Sequence, residues 1–125
     1  MINNIRILSG KFVLDASVHK PTTPNGMLAV LLPGFLDTKD YQHLVLLGNT
    51  LAKAGYVAIR FDPAGTWQSS GAEKDYSMTQ YLKDIRAVIR WAKHKKLFQK
   101  GIVLLGHSMG GIPLPFGCVK RCFLL

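Results

Sequence analysis

The sequence is short of cysteine and has no long hydrophobic run. Its 125 residues include only two cysteines, Cys118 and Cys122. No second cysteine pair or neighbouring histidine accompanies them, so neither a disulfide framework nor a metal site is predicted. The longest apolar runs, residues 27–32 and 102–105, are far shorter than the roughly 20 residues of a transmembrane helix. Residues 1–6 lack the features of a signal peptide, and we expect a cytoplasmic protein without a membrane partner.

Acidic residues are also scarce, at 7 Asp and Glu against 16 Lys and Arg, for a net charge of +9. Seven of the basic residues lie in 83–100, where Asp84 is the single acid. Apolar residues recur in this segment at helical spacing, so the basic residues are interpreted as the solvent face of an amphipathic helix. A nucleic-acid surface is the alternative. Because the interleaved aromatic residues that single-strand binders use for base stacking are missing, and Trp91 alone provides no such platform, we expect no nucleic-acid partner.

Apolar residues make up 48% of the chain, enough for the core of one domain. Continuously apolar segments separated by amphipathic ones predict strands buried on both faces, alternating with helices. The sequence therefore predicts an α/β fold that consists of an N-terminal hairpin, three parallel strands and flanking helices. The predicted strands are 5–8, 12–18, 27–32, 56–61 and 102–105, and the predicted helices are 41–54 and 79–96.

The last predicted strand runs directly into Gly106-His107-Ser108-Met109-Gly110. This G-x-S-x-G pattern is typical of a strand-to-helix turn that holds a serine hydroxyl exposed above the sheet. Gly106 and Gly110 avoid the clash that a Cβ would cause where strand and helix approach closely. The preceding series of strands and helices supplies the required context, and Ser108 is therefore a candidate nucleophile.

Two further blocks accompany this turn, Leu32-Pro33-Gly34-Phe35 and Phe61-Asp62-Pro63-Ala64-Gly65. With these blocks the chain resembles the α/β-hydrolase superfamily, and within it the serine aminopeptidase and monoacylglycerol-lipase-like group, over about residues 12–111. The resemblance implies a partial α/β-hydrolase fold that ends just after the nucleophile elbow. It also implies a serine hydrolase that acts on a small ester or amide and uses no cofactor or metal.

By this resemblance, Ser108 is the nucleophile and the backbone N–H groups of Met109 and Phe35 form the oxyanion hole. Gly34, Gly106 and Gly110 have structural roles at the site. Two fixed N–H donors stabilise the negative charge of a tetrahedral intermediate without any particular side chain. The Phe35 side chain either lines an acyl pocket or packs beneath its loop.

Two residues near these blocks are poor candidates for the catalytic triad. His107 adjoins the nucleophile in a sharp elbow, where neighbouring side chains point apart. Asp62 follows a strand in a loop that the family uses structurally, and we expect it to cap that loop. The sequence departs from the family at Pro33, where histidine is common, and at Trp67, where the Asp62 loop usually has a second glycine.

The triad acid and histidine of this superfamily follow the serine in the chain. Here the last acid is Asp84 and the last histidine is His107, so both triad partners are absent. Pro113 and Pro115 also oppose the helix that should follow the elbow. We expect 1–112 to be the N-terminal half of a hydrolase domain, catalytically incomplete, and 113–125 a non-matching tail produced by truncation or a shifted reading frame.

The alternative function is that of a noncatalytic remnant of the fold that binds a ligand or partner. A sheet that ended at 102–105 would expose an unpaired edge, and such edges recruit other chains. The sequence therefore predicts self-association through that edge.

Overall fold

The chain folds as a six-stranded mixed sheet with helices packed against it. The computed structural model describes residues 2–106 and the backbone of 121–124. A single-turn 3₁₀ helix, Glu73–Asp75, precedes the second long helix. The strands are β1 (Ile2–Ser9), β2 (Phe12–His19), β3 (Met27–Leu32), β4 (Val57–Phe61), β5 (Gly101–Gly106) and β6 (Arg121–Leu124), and the long helices are α1 (Gln42–Lys53) and α2 (Met78–His94).

The strand order across the sheet is β1-β2-β4-β3-β5-β6. The hairpin of β1 and β2 is antiparallel and joins β4 in antiparallel fashion, whereas β3 runs parallel to both β4 and β5. The predicted hairpin, three parallel strands and two helices are therefore confirmed. The parallel strands end at one side of the sheet, which we term the carboxyl edge.

The tail contributes a strand that the sequence did not predict. The backbone of Arg121–Leu124 pairs in parallel with β5, from Val103 opposite Arg121 to Gly106 opposite Leu124. The prediction that 102–105 forms an exposed sheet edge is therefore wrong. The physical reason is that the open edge of β5 presents unpaired N–H and C=O groups, and the apolar segment 122–124 can extend along it.

The main hydrophobic core lies between the sheet and α2. Alternate strand residues, such as Val30, Ile59 and Leu104, belong to this core and are fully buried. Tyr81 and Ile85 of α2 are buried in the same core. Successive residues of a strand point to opposite faces of the sheet. Both faces of the central strands are covered, and these strands are therefore continuously apolar in sequence.

Helix α2 begins with a side-chain cap, since Ser77 Oγ accepts the backbone N–H of Gln80. Its basic side chains are exposed, as the amphipathic pattern predicted, whereas Asp84 is fully buried. No helix in the described part of the chain is long and apolar enough to cross a membrane.

Candidate active site at the carboxyl edge

The candidate site lies where the chain leaves β3 and β5. Leu32, the last residue of β3, is opposite Gly106, the last residue of β5, in the parallel register. Three residues after Leu32 the chain reaches Phe35, in the β3–α1 loop (residues 33–41). The predicted nucleophile Ser108, together with His107, Met109 and Gly110, lies outside the described residues. The structure thus places the Phe35 loop beside the point from which the chain continues to Ser108.

The β3–α1 loop begins with a tight turn. Pro33 and Gly34 are buried, and the Tyr81 hydroxyl donates a hydrogen bond of 2.8 Å to the Pro33 carbonyl. Burial raises the pKa of Tyr81 well above its usual range, so this donor stays protonated. The Asp37 N–H donates to the Gly34 carbonyl at 3.1 Å and closes the turn around Phe35 and the residue that follows it. Helix α2 therefore anchors the start of the loop.

The backbone of Leu36 is held in an unusual conformation. Its φ of 57° lies in the left-handed region, at the position where a type II turn requires it. The Leu36 N–H donates to the Tyr76 hydroxyl at 3.2 Å, and the Trp67 indole N–H donates to the Leu36 carbonyl at 2.8 Å. Trp67, which the sequence marked only as a departure from the family, therefore helps to fix the turn.

Phe35 occupies the first central position of this turn. Its backbone N–H donates to no acceptor within the described residues. Its side chain is 59% exposed, with its ring centroid 5.7 Å from that of Tyr76. Of the two alternatives for this side chain, packing beneath the loop is therefore excluded. The turn presents the Phe35 N–H as an unused donor beside a partly open aromatic surface.

Asp62 connects the β3–α1 loop to the loop that follows β4. One carboxylate oxygen accepts the Lys39 N–H at 2.8 Å and the Thr38 hydroxyl at 3.2 Å, and the other accepts the Gln68 N–H at 3.3 Å. Burial raises the pKa of Asp62, and the hydrogen bond from the Lys39 N–H opposes that rise. The predicted loop-capping role of Asp62 is confirmed.

Opposite charges are paired beneath the same loop. The buried Lys39 ammonium lies 3.0 Å from Asp15 and 2.8 Å from Asp40. The buried Arg60 guanidinium lies 3.2 Å from Asp40 and donates to the Lys39 carbonyl at 2.6 Å. Burial alone would raise the pKa of Asp40, but hydrogen bonds from Lys39 and Arg60 hold it below its usual value. The network secures the far end of the loop.

His19 extends this network away from the carboxyl edge. Arg60 Nε donates to His19 Nε2 at 2.8 Å, so Nε2 must carry a lone pair and the imidazole is neutral. Burial and the positive charge of Arg60 both lower the pKa of His19. His19 pairs with Ala58, near the start of β4, and lies at the opposite end of the strand from the candidate site. It cannot act as the base there.

No cluster of three or more His, Cys, Asp or Glu side chains that could hold a metal ion occurs in the part of the chain that the structure describes. The geometry instead provides a rigid backbone donor next to the end of β5. Such a donor can stabilise negative charge that develops on a carbonyl oxygen.

Comparison with known proteins agrees with this geometry. The sequence profile of the alpha/beta hydrolase fold matches residues 30–113. Est1E from Butyrivibrio proteoclasticus, solved with ferulic acid, is 27% identical with a TM-score of 0.78, and the alignment covers 88% of this chain and 45% of Est1E. A search of curated proteins found no significant match.

Two other solved structures share the fold at lower identity. The alpha/beta hydrolase GrgF from Penicillium is 20% identical with a TM-score of 0.82, over 90% of this chain and 39% of GrgF. The Pyrococcus furiosus esterase Pf2001 is 20% identical with a TM-score of 0.76, over 90% of this chain and 44% of the esterase. The chain therefore spans less than half the length of these three structures.

Proposed function

We propose that this chain, which belongs to the alpha/beta hydrolase fold family, carries the nucleophile-bearing part of a serine hydrolase of small esters or amides. The family match and the two esterase neighbours, Est1E and Pf2001, support hydrolase chemistry in general. The serine chemistry, the acyl substrate and a cytoplasmic location are parts of the proposal.

In the proposed reaction the Ser108 hydroxyl attacks the carbonyl carbon of the substrate. The carbonyl oxygen becomes an oxyanion, which accepts hydrogen bonds from the backbone N–H groups of Phe35 and Met109. Collapse of this intermediate breaks the ester C–O or amide C–N bond, and the leaving group takes up the proton that Ser108 gave up. The acyl-enzyme that results is then hydrolysed by water.

The observation that supports this proposal most directly is that the Phe35 backbone N–H is available to donate a hydrogen bond to a ligand. It has no acceptor among the described residues, and it belongs to a turn held by Tyr81, Tyr76 and Trp67. A donor fixed before the reaction stabilises the oxyanion without reorganising during it. The parallel register of β3 and β5 supports a position for this donor beside Ser108.

We further propose that this chain is catalytically incomplete. Its sequence contains no Asp, Glu or His after Ser108, where the triad partners of this family are found. A serine hydroxyl at neutral pH needs a base to take its proton. Oxyanion stabilisation alone leaves a rate advantage of roughly 10³ to 10⁴ over water in serine enzymes that lack a working triad. Slow acylation without turnover is therefore expected.

Hydrolysis of p-nitrophenyl acetate tests the proposal. The chain should release at most one equivalent of p-nitrophenol, slowly, and the Ser108→Ala variant should release none above the buffer rate. Equal release by both chains would contradict acylation at Ser108. No release from a chain shown to be folded by circular dichroism would favour the noncatalytic ligand- or partner-binding alternative. Multiple turnovers that depend on Ser108 would overturn catalytic incompleteness alone.

Self-association through the edges of the sheet is a separate part of the proposal. In the described sheet, β1 and β6 are the outer strands. An outer strand carries a row of unpaired backbone groups that can pair with another chain. Light scattering at micromolar concentration should show dimers or larger species, and a monodisperse monomer would contradict this part.

A further inference from the structure

A cavity of about 450 Å³ lies between the β1–β2 turn and α2. Four cationic side chains line it, and the polar side chains of Ser9 and Gln80 lie at its wall. We term it the basic groove. Its cationic residues are Lys11, Lys83, Arg86 and Arg90.

The basic groove is distinct from the candidate active site. It lies beside β1, which is four strands away from β5 in the sheet. Neighbouring strands are about 4.8 Å apart, so the separation across the sheet is roughly 19 Å. None of the groove's lining residues belongs to the β3–α1 loop. A ligand of the groove would therefore not contact the β3–α1 loop.

No acidic side chain lines the basic groove. The carboxylate behind its wall belongs to Asp84, which is fully buried. Asp84 accepts the Ser9 hydroxyl at 2.7 Å, the Gln80 amide at 2.8 Å and the Ala64 N–H at 2.8 Å. Since both of its oxygens are engaged inside the fold, Asp84 offers no contact to a ligand. The charged side chains that a ligand would meet in the groove are therefore all cationic, beside the apolar side chains of Leu8, Phe12 and Ala87.

A second cavity of about 460 Å³ adjoins the basic groove and shares Leu8, Ala87 and Arg90 with it. Ile7 and Trp91 add further apolar surface to this second cavity. Leu8 is 73% exposed, so its side chain is accessible to a ligand. Arg6 and His94 also line this second cavity, whose surface is otherwise mostly apolar. Arg90 therefore lies between a cationic cavity and a mostly apolar one.

We propose that the two cavities together bind a small amphiphilic phosphate monoester. Its dianionic head contacts Arg90, Lys83 and Lys11, and its short alkyl chain lies against Leu8 and Trp91. Several cations around one concave site favour a doubly charged phosphate over a singly charged carboxylate as the ligand. A guanidinium group can also donate two parallel hydrogen bonds to two phosphate oxygens. A chain of about eight carbons suits the apolar cavity, since cavities of 300–1,000 Å³ hold drug-sized ligands.

Isothermal titration with octyl phosphate, below the concentration at which it aggregates, tests this proposal. Arg90→Gln removes the charge shared by the two cavities. Lys93→Gln is the matched control, because Lys93 is an exposed residue of the same helix that lines neither cavity. We expect one saturable site, weakened tenfold or more by Arg90→Gln and less than twofold by Lys93→Gln. Inorganic phosphate and octanol should each bind at least tenfold more weakly than octyl phosphate.

Every other outcome contradicts the proposal, and most of them indicate a different kind of binding. Equal weakening by the two variants would indicate diffuse charge attraction, and octanol binding as tightly as octyl phosphate would indicate a plain apolar cavity. Binding only to anionic vesicles would indicate a membrane surface, and tighter binding of a single-stranded RNA would indicate a nucleic-acid surface. If octyl phosphate does not bind to a chain shown to be folded, the proposal is wrong. The Ser108→Ala variant should bind octyl phosphate normally, so this test is independent of the proposed hydrolase chemistry.

Discussion

The Asp62 carboxylate accepts the backbone N–H of Lys39 at 2.8 Å, across a sequence separation of 23 residues. This bond joins the loop after β4 to the loop after β3, in which Phe35 lies. One buried carboxylate therefore helps to determine the shape of the turn on which the proposed oxyanion hole depends.

Replacing Asp62 should destabilise the fold. Asp62→Ala leaves the buried Lys39 N–H without its acceptor, and a buried unsatisfied group costs about 1–3 kcal/mol. We expect a loss of about 2–4 kcal/mol in urea unfolding, because Thr38 and Gln68 lose the same acceptor. Glu73→Ala removes the same charge from an exposed site in the 3₁₀ helix and should change stability by less than about 0.5 kcal/mol. Equal effects of the two changes would show that Asp62 contributes only its charge.

The left-handed conformation of Leu36 predicts opposite responses to two substitutions. Left-handed backbone costs a non-glycine residue about 1–2 kcal/mol, and a β-branched side chain tolerates it worst. Leu36→Val should therefore lower the free energy of unfolding by about 1 kcal/mol, whereas Leu36→Gly should leave it unchanged or raise it slightly. Urea unfolding measures both. A larger loss for glycine than for valine would mean that the Leu36 side chain, rather than its backbone, stabilises the turn.

Gly48 in α1 should not tolerate alanine, although alanine favours helices by about 1 kcal/mol over glycine. A Cβ at Gly48 would overlap His19 Nε2, and Arg60 holds that imidazole in place. Overpacking of this kind costs about 1–3 kcal/mol. Gly48→Ala should therefore destabilise the wild-type chain but stabilise the His19→Ala chain. A double-mutant cycle by urea unfolding measures the difference, and equal effects in both backgrounds would exclude the overlap as the cause.

The burial of Asp84 predicts a particular pH dependence. Burial raises its pKa above the ordinary value, although hydrogen bonds from Ala64, Gln80 and Ser9 oppose the rise. A raised folded-state pKa means that the folded chain binds the proton more tightly than the unfolded chain. The contribution of Asp84 to stability is therefore full below about pH 3.9, the usual aspartate pKa, and is lost as pH rises through the folded-state pKa.

The Asp84→Asn variant isolates this effect, since it carries no titrating group at that position. The stability of the wild type minus that of the variant should decrease as pH rises from about 4 toward 7. The decrease is at most about 1.4 kcal/mol for each pH unit between the unfolded-state and folded-state pKa values. Urea unfolding of both chains at a series of pH values gives the difference. A difference that increases with pH would show that the hydrogen bonds to the carboxylate outweigh its burial.

The parts of the fold that the sequence predicted are those encoded by neighbouring residues. Residues 27–32 form a strand because they are continuously apolar, and α2 follows from apolar residues at helical spacing. Asp62 lies directly after a strand, in a loop that the family it resembles uses structurally, and the two together predict a structural role. In each case a local pattern and the tertiary environment favour the same structure.

The features that the sequence did not predict depend on distant partners. The conformation of Leu36 opposes the local preference of leucine and is maintained by Trp67 and Tyr76, which are 31 and 40 residues away. The pairing of Arg60 with His19 joins residues 41 positions apart. Neither contact could be predicted from a local sequence pattern, because the two partners lie far apart in the chain.

Labelling with a fluorophosphonate, mapped by mass spectrometry, tests the central claim that Ser108 reacts with the help of the Phe35 N–H. Phe35→Pro removes this N–H at a turn position that favours proline, whereas Phe35→Ala removes the ring and keeps the N–H. We predict slow labelling of Ser108, reduced about 10²- to 10³-fold by Phe35→Pro and less than about threefold by Phe35→Ala, as for the loss of one oxyanion-hole donor. Labelling at another residue, or equal rates for the two Phe35 variants when both are folded, would contradict the account.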